Sequence, residues 1–522
     1  MANKYSNHLH ELIQSLSKAE KRYFNVFVNR HTAKNTTNNA QILFNILDKM
    51  EFYKEEIVLE EIKDLAIAKK FSIAKARLYD TILKSLNAYY SEKSKEQLIR
   101  NELHYIEILY NKSLYKQCNK RILSAKKQAK KYNKKHLLAE LILWQKKIIE
   151  KDNYQTIDKK YIHLISEEEK EILDDLLIRS QLWEIKSNLF HKLNKTGRAR
   201  TTEEVEVLKN TIENQLESVV IPKNKIRLNY LFHHTKSAYN FAIYDYKESL
   251  NSAVNTIELI EKNPVEFGEE PNILISSLTN GVYLAVKIKD LKTAELLYKK
   301  LNHHYNKHKT ESTKNIVLKI KSSIISLRLM LLKNTCEFEK NKEINTNAIN
   351  LIEENKENIN QSRLAYLYYN LSANYFLQEN YSEALKWINN LLNDIGIDKT
   401  QEIYSFAEIL NLFIHIELDN NELVLYTIKS TKRFLQTRNK LFKFESLILQ
   451  FLRKISTENL AFNKTEHYKK LKVQLLEVTK NPYENIPLEY FDYLAWVESK
   501  LTRTKMSEII KIKNKKLVGF EF

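Results

Sequence analysis

The sequence contains few of the residues that break helices or cross-link a chain. Its 522 residues include only 5 Gly, 5 Pro and 2 Cys. Sheets, tight hairpins and nucleotide loops use glycine for positive φ or close backbone approach, so this composition argues against a dinucleotide-binding or P-loop domain. The cysteines, Cys118 and Cys336, show no zinc-binding spacing. We therefore predict no metal, no cofactor and no disulfide.

Long apolar runs are absent as well. No stretch approaches the roughly 18 uninterrupted apolar residues that indicate a membrane-spanning helix. The first residues, MANKYSNHLHELIQSL, contain no apolar core of the kind that marks a secretory signal. Together with the low cysteine content, these absences predict a cytoplasmic protein that does not enter a membrane.

Motifs of known enzyme classes are not found. The chain has no GxSxG, GxxxxGK[ST] or HExxH pattern. His304 and His308 lie one helical turn apart, but no third zinc ligand accompanies them. The acidic run Glu167–Glu169 is expected at a helix N-terminus, where carboxylates complement the helix dipole. We expect no enzyme activity.

Helical periodicity, by contrast, runs almost from end to end. One apolar stripe consists of Leu137, Leu141, Trp144 and Ile148, at i, i+4, i+7 and i+11, and a similar one of Phe444, Leu447, Phe451 and Ile455, at i, i+3, i+7 and i+11. Helix starts are indicated by capping-box spacings at Ser17 with Glu20, Ser166 with Glu169, and Asp398 with Gln401. The pattern predicts more than 75% helix and no sheet.

One segment carries a repeat signature. Residues 370–392 read NLSANYFLQENYSEALKWINNLL. This segment resembles the tetratricopeptide (TPR) consensus, with Leu371 and Ser372 at its Leu-Gly position, Tyr375 at the inner aromatic, Tyr381 at the turn, Ala384 at the small residue and Ile388 at the next bulky position. The resemblance implies two antiparallel helices in close contact at Ser372 and Ala384, with Tyr375, Tyr381 and Ile388 buried around them.

Weaker copies of the turn flank this segment. The turn positions Tyr246, Leu291, Tyr381 and Leu423 are separated by 45, 90 and 42 residues. A repeat of this kind cannot bury its apolar face alone, so neighbouring repeats must stack. We therefore predict an all-α fold, a right-handed superhelix of antiparallel helix pairs (a TPR-like α-solenoid) with an N-terminal helical cap domain. The expected divisions are 1–95 (N-terminal helical domain), 96–262 (first repeat segment), 273–486 (second, TPR-like segment) and 487–522 (one C-terminal helix and a basic tail), with the Pro- and Gly-containing stretch 263–272 as boundary or bend.

The formal charge of +19 has two interpretations. Lys, Asn, Ile and Tyr are enriched together, as AT-rich coding produces, and this is the favoured explanation. Alternatively, a lysine stripe at residues 125–136 contacts phosphates or an acidic partner; its lysines are Lys126, Lys127, Lys130, Lys131, Lys134 and Lys135. Residues 57–83 also allow a helix-turn-helix with a break near Phe71 and Ser72.

The resemblance implies a function in binding. In TPR-like proteins the first helix of each pair lines the concave face, which points to Tyr366, Tyr369, Asn370 and Ala373 as residues that contact a partner. The leading hypothesis is a non-enzymatic scaffold or adaptor that holds a peptide or protein in a groove. A nucleic-acid-associated regulator, using the N-terminal helices and the lysine stripe, is one alternative. A subunit of a larger assembly is another.

Overall fold

The computed structural model describes residues 7–30, 38–65, 67–92, 94–155, 157–311, 314–339, 342–457 and 464–520. Helix accounts for 80% of the chain, and these ranges contain no β-strand, which confirms the predicted all-α class. The chain divides into two compact units, residues 1–174 and 175–522. No helix in the described ranges is long and apolar enough to cross a membrane.

The first unit begins with five helices that have a core of their own. The helices of this unit are α1 (His8–Ser15), α2 (Lys18–Asn29), α3 (Asn39–Lys49), α4 (Glu55–Glu61), α5 (Phe71–Tyr90), α6 (Lys95–Asn111), α7 (Tyr115–Lys131), α8 (Lys135–Lys151) and the first half of α9 (Lys159–Lys195). Phe24 and Phe44 stack at the centre of the α1–α5 core, with ring centroids 4.4 Å apart. Ser17 and Glu20 form the predicted capping box at α2.

Two sequence expectations in this unit are wrong. Nine residues, 62–70, separate α4 from α5, and Phe71 starts α5; a helix-turn-helix joins its helices by three or four residues. The run Glu167–Glu169 lies in the interior of α9, which begins at Lys159. Its carboxylates bind lysines instead of capping a helix.

The second unit is a series of helix pairs followed by a C-terminal group. Its helices are the rest of α9, α10 (Thr202–Leu208), α11 (Asn214–Ser218), α12 (Ile226–Ala242), α13 (Tyr246–Lys262), α14 (Pro264–Phe267), α15 (Pro271–Lys287), α16 (Leu291–Glu311), α17 (Lys314–Thr335), α18 (Glu343–Asn355), α19 (Gln361–Leu377), α20 (Tyr381–Asn393), α21 (Glu402–Glu417), α22 (Asn421–Thr437), α23 (Lys443–Thr457), α24 (Lys464–Val478), α25 (Pro487–Tyr490), α26 (Tyr493–Thr502) and α27 (Met506–Lys513). Because α13 packs on α15, the stretch 263–272 between them is a bend inside this unit and not a domain boundary.

The same three-residue turn joins four of these pairs, α12/α13, α15/α16, α19/α20 and α21/α22. The middle residue has positive φ in each turn: Tyr244 (69°), Lys289 (61°), Glu379 (62°) and Asp419 (56°). The N–H of the following residue donates to a carbonyl five residues earlier, as from Asn380 to Tyr375 at 3.0 Å. This is the hydrogen bond of a Schellman helix cap, a motif that usually contains glycine. The chain therefore repeats one turn while using almost no glycine.

The TPR-like repeat makes the predicted close helix contact, but two of the three side chains expected to be buried around it are not. Ser372 and Ala384 are both fully buried, and the Ser372 hydroxyl donates to the Ala384 carbonyl at 2.8 Å. Ile388 is buried beside them, but Tyr375 and Tyr381 are only half-buried. The fully packed ring in this turn is Phe376, 5.2 Å from the Tyr381 ring. The resemblance to the repeat consensus placed the buried aromatic ring at Tyr375, whereas in the structure the buried ring is that of the next residue, Phe376.

Replacing Ala384 by Leu tests this contact. A larger side chain overpacks the helix–helix interface, so we expect a loss of about 1–3 kcal/mol in the free energy of unfolding, measured by urea denaturation. Ser382→Leu on the same helix is the control, because Ser382 is exposed. Equal losses in the two variants would contradict the close α19–α20 contact.

The residues after Pro487 differ from the predicted single helix and basic tail. They form three short helices, α25–α27, and their aromatic side chains belong to the largest core of the second unit. Tyr493 and Trp496 are completely enclosed, 0% and 1% exposed. The segment is basic at its surface, but its apolar residues pack on α21 and α24, so it is part of the folded unit.

Candidate functional site

The four residues predicted to contact a partner do not form a common surface. Tyr366 is 43% exposed, whereas Tyr369, Asn370 and Ala373 are buried. The expectation that these side chains do not pack inward is therefore wrong for three of the four. Aromatic rings from the C-terminal segment cover this helix: the Tyr490 ring meets that of Tyr369 edge-on, with centroids 5.8 Å apart.

A cavity of about 310 Å³ lies next to the exposed Tyr366. Its wall is formed by α12, α13, α15, α19 and α21, and by the end of α9 with the loop that follows it. The polar residues of the wall are Asn194, Arg198, His234, Ser237, Ser249, Thr256, Ser277, Asn280, Tyr283, Ser362, Tyr366, Gln401 and Glu402. Pockets for small ligands typically measure about 300–1,000 Å³, so the cavity can hold a small molecule or a few residues of a peptide.

Helical spacing explains how polar groups converge on the cavity. His234, Ser237 and Phe241 lie on one face of α12, and Ser277, Asn280 and Leu284 lie on one face of α15. Spacings of three and four residues place side chains above one another on a helix. Each of these helices is the first of its pair, so consecutive pairs present the same face to the cavity.

The loop after α9 supplies the charged wall of the cavity. Gly197, Arg198, Ala199 and Arg200 are all buried, although the sequence around them reads as an ordinary polar connection. The Arg198 guanidinium forms ion pairs with Glu402 at 3.2 Å and Glu489 at 2.7 Å. Arg198 and Glu402 therefore join the α9 loop to α21, while Glu489 joins it to α25.

A glycine is required at this point. Gly197 has a φ of +85°, and a Cβ there would stand 3.3 Å from a carboxylate oxygen of Glu402. In a chain with only 5 glycines, a Gly-Arg-Ala-Arg segment between two helices is a signal that could have indicated a buried loop. The polar residues on either side of this segment made it resemble an ordinary exposed loop.

A tyrosine and a lysine complete the ion-pair cluster around Glu489. The Tyr246 hydroxyl donates to Glu489 at 2.6 Å, and Lys287 lies 3.1 Å from the same carboxylate. Burial by itself raises the pKa of Glu489, but the charges of Arg198 and Lys287 outweigh burial and hold that pKa at about 2. Glu489 is consequently ionised at neutral pH.

Arg200 anchors the same loop at a second place. Its guanidinium forms two hydrogen bonds with the Glu445 carboxylate, at 3.0 and 3.2 Å, and stacks on the Phe442 ring. The loop is thus held at both arginines, and Arg198 cannot shift without disturbing α21, α23 and α25. Such anchoring gives the cavity a fixed wall.

Several polar groups of the wall have no partner. The side-chain amides of Asn194 and Asn280 are exposed and make no hydrogen bond with another described residue. Nδ1 of His234 is buried without a hydrogen-bond partner among the described residues. Burial lowers the pKa of His234 to about 4, with a smaller contribution from Lys186, so this ring is neutral at pH 7. It stacks on Phe190, with ring centroids 5.7 Å apart.

Comparisons with known proteins give likenesses among solved structures only. No protein-family model matches the chain, and no curated protein matches it. Among solved structures, the apo form of the quorum sensor NprR from B. thuringiensis is similar to this chain with a TM-score of 0.40 and 13% sequence identity, over 77% of this chain and 99% of that one. The helical-repeat architecture rests on the repeated helix pairs and turns of the chain itself.

The lysine stripe at residues 125–136 is largely neutralised. Lys126 is buried and binds Glu168 at 2.7 Å, Lys130 binds the same carboxylate at 2.7 Å, and Lys134 lies 3.2 Å from Glu96. Lys127 and Lys131 are exposed, and Lys135 is half-buried. Carboxylates are therefore interspersed among the lysines, as the coding-bias interpretation of the charge predicts and a continuous phosphate-binding surface does not.

The remaining candidates for metal or thiol chemistry are not assembled into sites. The rings of His304 and His308 stack at 6.2 Å, and within the described ranges no three His, Cys, Asp or Glu side chains are grouped to hold a metal ion. Cys118 and Cys336 are both buried as free thiols.

Proposed function

We propose that this chain is a non-enzymatic binding protein that holds a peptide segment in the cavity of its second unit. The observation that carries the proposal is the pair of side-chain amides, Asn194 and Asn280, which line the cavity, are exposed, and make no hydrogen bond with another described residue. A carboxamide offers both a donor and an acceptor, which matches the N–H and C=O of an extended peptide. Leaving these groups unpaired inside a closed complex is costly, so a ligand that pairs them is favoured.

The apolar residues of the wall are suited to bind side chains of a peptide. Phe190, Leu193, Ala238, Phe241 and Leu284 line the cavity between the polar groups. Small-ligand and peptide sites typically combine such an apolar surface with a few placed polar groups. The apolar residues would bury one or two side chains of the peptide, and the amides would fix its backbone.

The ionisable residues of the wall support binding more than catalysis. Arg198 and Glu402 are joined in an ion pair, and His234 is neutral and stacked. A catalytic base needs a nucleophile or proton donor within hydrogen-bond reach, whereas among the described residues no hydrogen bond joins His234 to a hydroxyl or thiol. We therefore propose that the ligand is held and not transformed.

Affinity selection with a random peptide library tests the proposal. Peptides retained by the wild-type protein are measured again, by fluorescence polarisation, on Ser277→Trp, which fills the cavity from α15. We expect at least a tenfold rise in Kd, which corresponds to about 1.4 kcal/mol, because the indole takes the space of the peptide side chains.

Ser382→Trp is the matched control, since Ser382 is exposed on α20 and lies outside the cavity. This variant should bind as the wild type does. Retained affinity in Ser277→Trp, with the variant folded by circular dichroism, would show that the peptide binds elsewhere. If no peptide were selected by the wild-type protein, the proposed function would be contradicted.

A further inference from the structure

One carboxylate oxygen of the ion-pair cluster has no partner among the described residues. The cluster contains two carboxylates, Glu402 and Glu489, that share Arg198. Both oxygens of Glu489 are paired, Oε2 with Arg198 and Oε1 with the Lys287 ammonium at 3.1 Å. Oε2 of Glu402 accepts from Arg198 at 3.2 Å and from the Tyr490 hydroxyl at 2.7 Å. No described donor reaches the fourth oxygen, Oε1 of Glu402.

This oxygen lies where the wall has no side chain to cover it. Glu402 and Gly197 both line the cavity. A Cβ at position 197 would stand 3.3 Å from Oε1 of Glu402, and because a glycine occupies the position, that space is left open. The Glu402 side chain is 16% exposed. Its second oxygen is held by Arg198, so Oε1 is fixed in place and a ligand in the cavity can reach it.

The residue before Glu402 supplies another acceptor. Gln401 also lines the cavity, and its side-chain amide nitrogen donates to the Ser362 hydroxyl at 3.0 Å. This hydrogen bond orients the amide, and no described donor reaches its carbonyl oxygen. Two acceptor oxygens from adjacent residues therefore stand at the start of α21, one of them charged.

A hydroxyl group lies close to the same corner. Tyr283 of α15 lines the cavity and makes no hydrogen bond with another described residue. Its ring lies 6.2 Å from that of Phe241, and the Arg198 guanidinium stands over the Phe241 ring at 5.2 Å. These contacts place Tyr283 beside the ion-pair cluster. A phenol oxygen can accept a hydrogen bond as well as donate one.

The charges of the wall favour a positively charged donor. Arg198 is the only cationic side chain and Glu402 the only anionic one among the described residues of the wall. Arg198 divides its charge between Glu402 and Glu489, whereas Glu402 meets a cation on one oxygen only. Hydrogen bonds between charged groups are roughly twice as strong as those between neutral groups, so the open oxygen selects for an ammonium.

We propose that Glu402, together with Gln401, binds a primary amino group of the ligand, while the rest of that ligand occupies the cavity. This inference rests on the proposed peptide-binding function and specifies its ligand class: a peptide that presents its free N-terminus or a lysine side chain to the start of α21. An ammonium carries three N–H donors and no acceptor. It can therefore bond Oε1 of Glu402 and neighbouring oxygens at the same time.

The test uses the peptides selected by the wild-type protein, resynthesised in matched forms. One form has a free N-terminus and no lysine, a second is acetylated at the N-terminus, and a third is acetylated but carries lysine or acetyl-lysine at each position in turn. We expect the wild type to prefer one amino group over its acetylated form by at least about tenfold, as a charge-assisted hydrogen bond provides. The preferred form identifies the source of the amino group.

The pH dependence of Kd tests the same point on the wild type alone. An α-amino group has a pKa of about 7.7–8.0 and a lysine side chain one of about 10.4. Affinity for a bound α-amino group should fall about fivefold from pH 7 to 9, whereas the acetylated peptide should show no such fall. His234, Tyr283 and Tyr366 do not change charge in this range, because burial lowers the pKa of His234 to about 4 and raises those of the two tyrosines.

The variant E402Q should lose the preference and bind amino and acetylated peptides alike. E489Q is the matched control: it removes a carboxylate from the same arginine, but Glu489 does not line the cavity. E489Q should keep the ratio of the two affinities. Circular dichroism establishes that both variants are folded, and the pH measurement on the wild type decides the question if E402Q is not.

The outcomes separate this inference from the proposed function. Peptides that bind in the cavity equally well with free and acetylated amino groups would overturn the amine site and leave the proposed function standing. A preference that survives in E402Q, or one lost equally in E402Q and E489Q, would also overturn the amine site. Binding of no peptide in any form would overturn both.

Discussion

Arg198→Gln is expected to destabilise the second unit by about 3–5 kcal/mol, the cost of breaking a buried ion pair by removing one partner. The Arg198 side chain is 3% exposed and is shared between Glu402 and Glu489. Glutamine cannot neutralise either carboxylate, so two half-buried carboxylates would lose the positive charge of Arg198. Denaturation followed by tryptophan fluorescence measures the effect, since Trp387 and Trp496 are buried in this unit.

Two comparisons make this expectation specific. Arg453→Gln removes an exposed arginine of the same unit and should change stability by less than about 0.5 kcal/mol. Adding Glu489→Gln to Arg198→Gln should recover part of the loss, because it removes one of the uncompensated charges. A loss in Arg198→Gln no larger than in Arg453→Gln would contradict the structural role of the α9 loop.

Acid provides an independent check on the same cluster. The Arg198 and Lys287 charges hold the pKa of Glu489 at about 2 in the folded protein, below its ordinary value of 4.5. A carboxyl group with a lowered pKa stabilises the fold above its unfolded pKa and loses that contribution as the pH falls toward the folded value. The wild type should therefore lose this stabilisation between about pH 4.5 and 2, and Arg198→Gln should show a weaker dependence.

Trp496→Ala should cost about 3–5 kcal/mol, as truncation of a buried aromatic residue does. Trp496 is 1% exposed, its ring centroid lies 4.7 Å from that of Phe413, and its indole N–H donates to Glu417 at 2.6 Å. Truncation would leave a large cavity and an unpaired carboxylate oxygen. Urea denaturation gives the loss directly.

Trp183→Ala is the matched control, because Trp183 is 64% exposed. It should change the free energy of unfolding by a small fraction of the loss at Trp496. If Trp496→Ala were as stable as Trp183→Ala, the C-terminal segment would be a separable tail, as the sequence predicted, and not part of the core.

The helices and repeats could be predicted because they depend on local patterns. Apolar spacing, the Ser17 capping box and the paired positions Ser372 and Ala384 all act between residues close in the chain or within one helix pair. The turn before α20 was found for the same reason: its left-handed residue, Glu379, and its hydrogen bond lie within six residues. These features need no knowledge of distant segments.

The site depended on contacts between distant residues and was not predictable in this way. Tyr369 was expected on an open face, but Tyr490, more than one hundred positions later, packs against it. Arg198 reads as part of a polar connection until Glu402 and Glu489 are seen around it. One of the four predicted contact residues, Tyr366, does lie at the cavity. Its exposure depends only on its position on its own helix, which the local sequence pattern can predict.

Hydrogen exchange with a selected peptide tests the central claim most directly. The wild-type protein is compared with and without a saturating amount of the peptide, and peptic fragments report protection along the chain. The account predicts added protection in α12, α15 and α19, which contribute to the cavity wall, and none in α7, which belongs to the first unit. Protection confined to other helices, with α12, α15 and α19 unchanged, would contradict binding in the cavity.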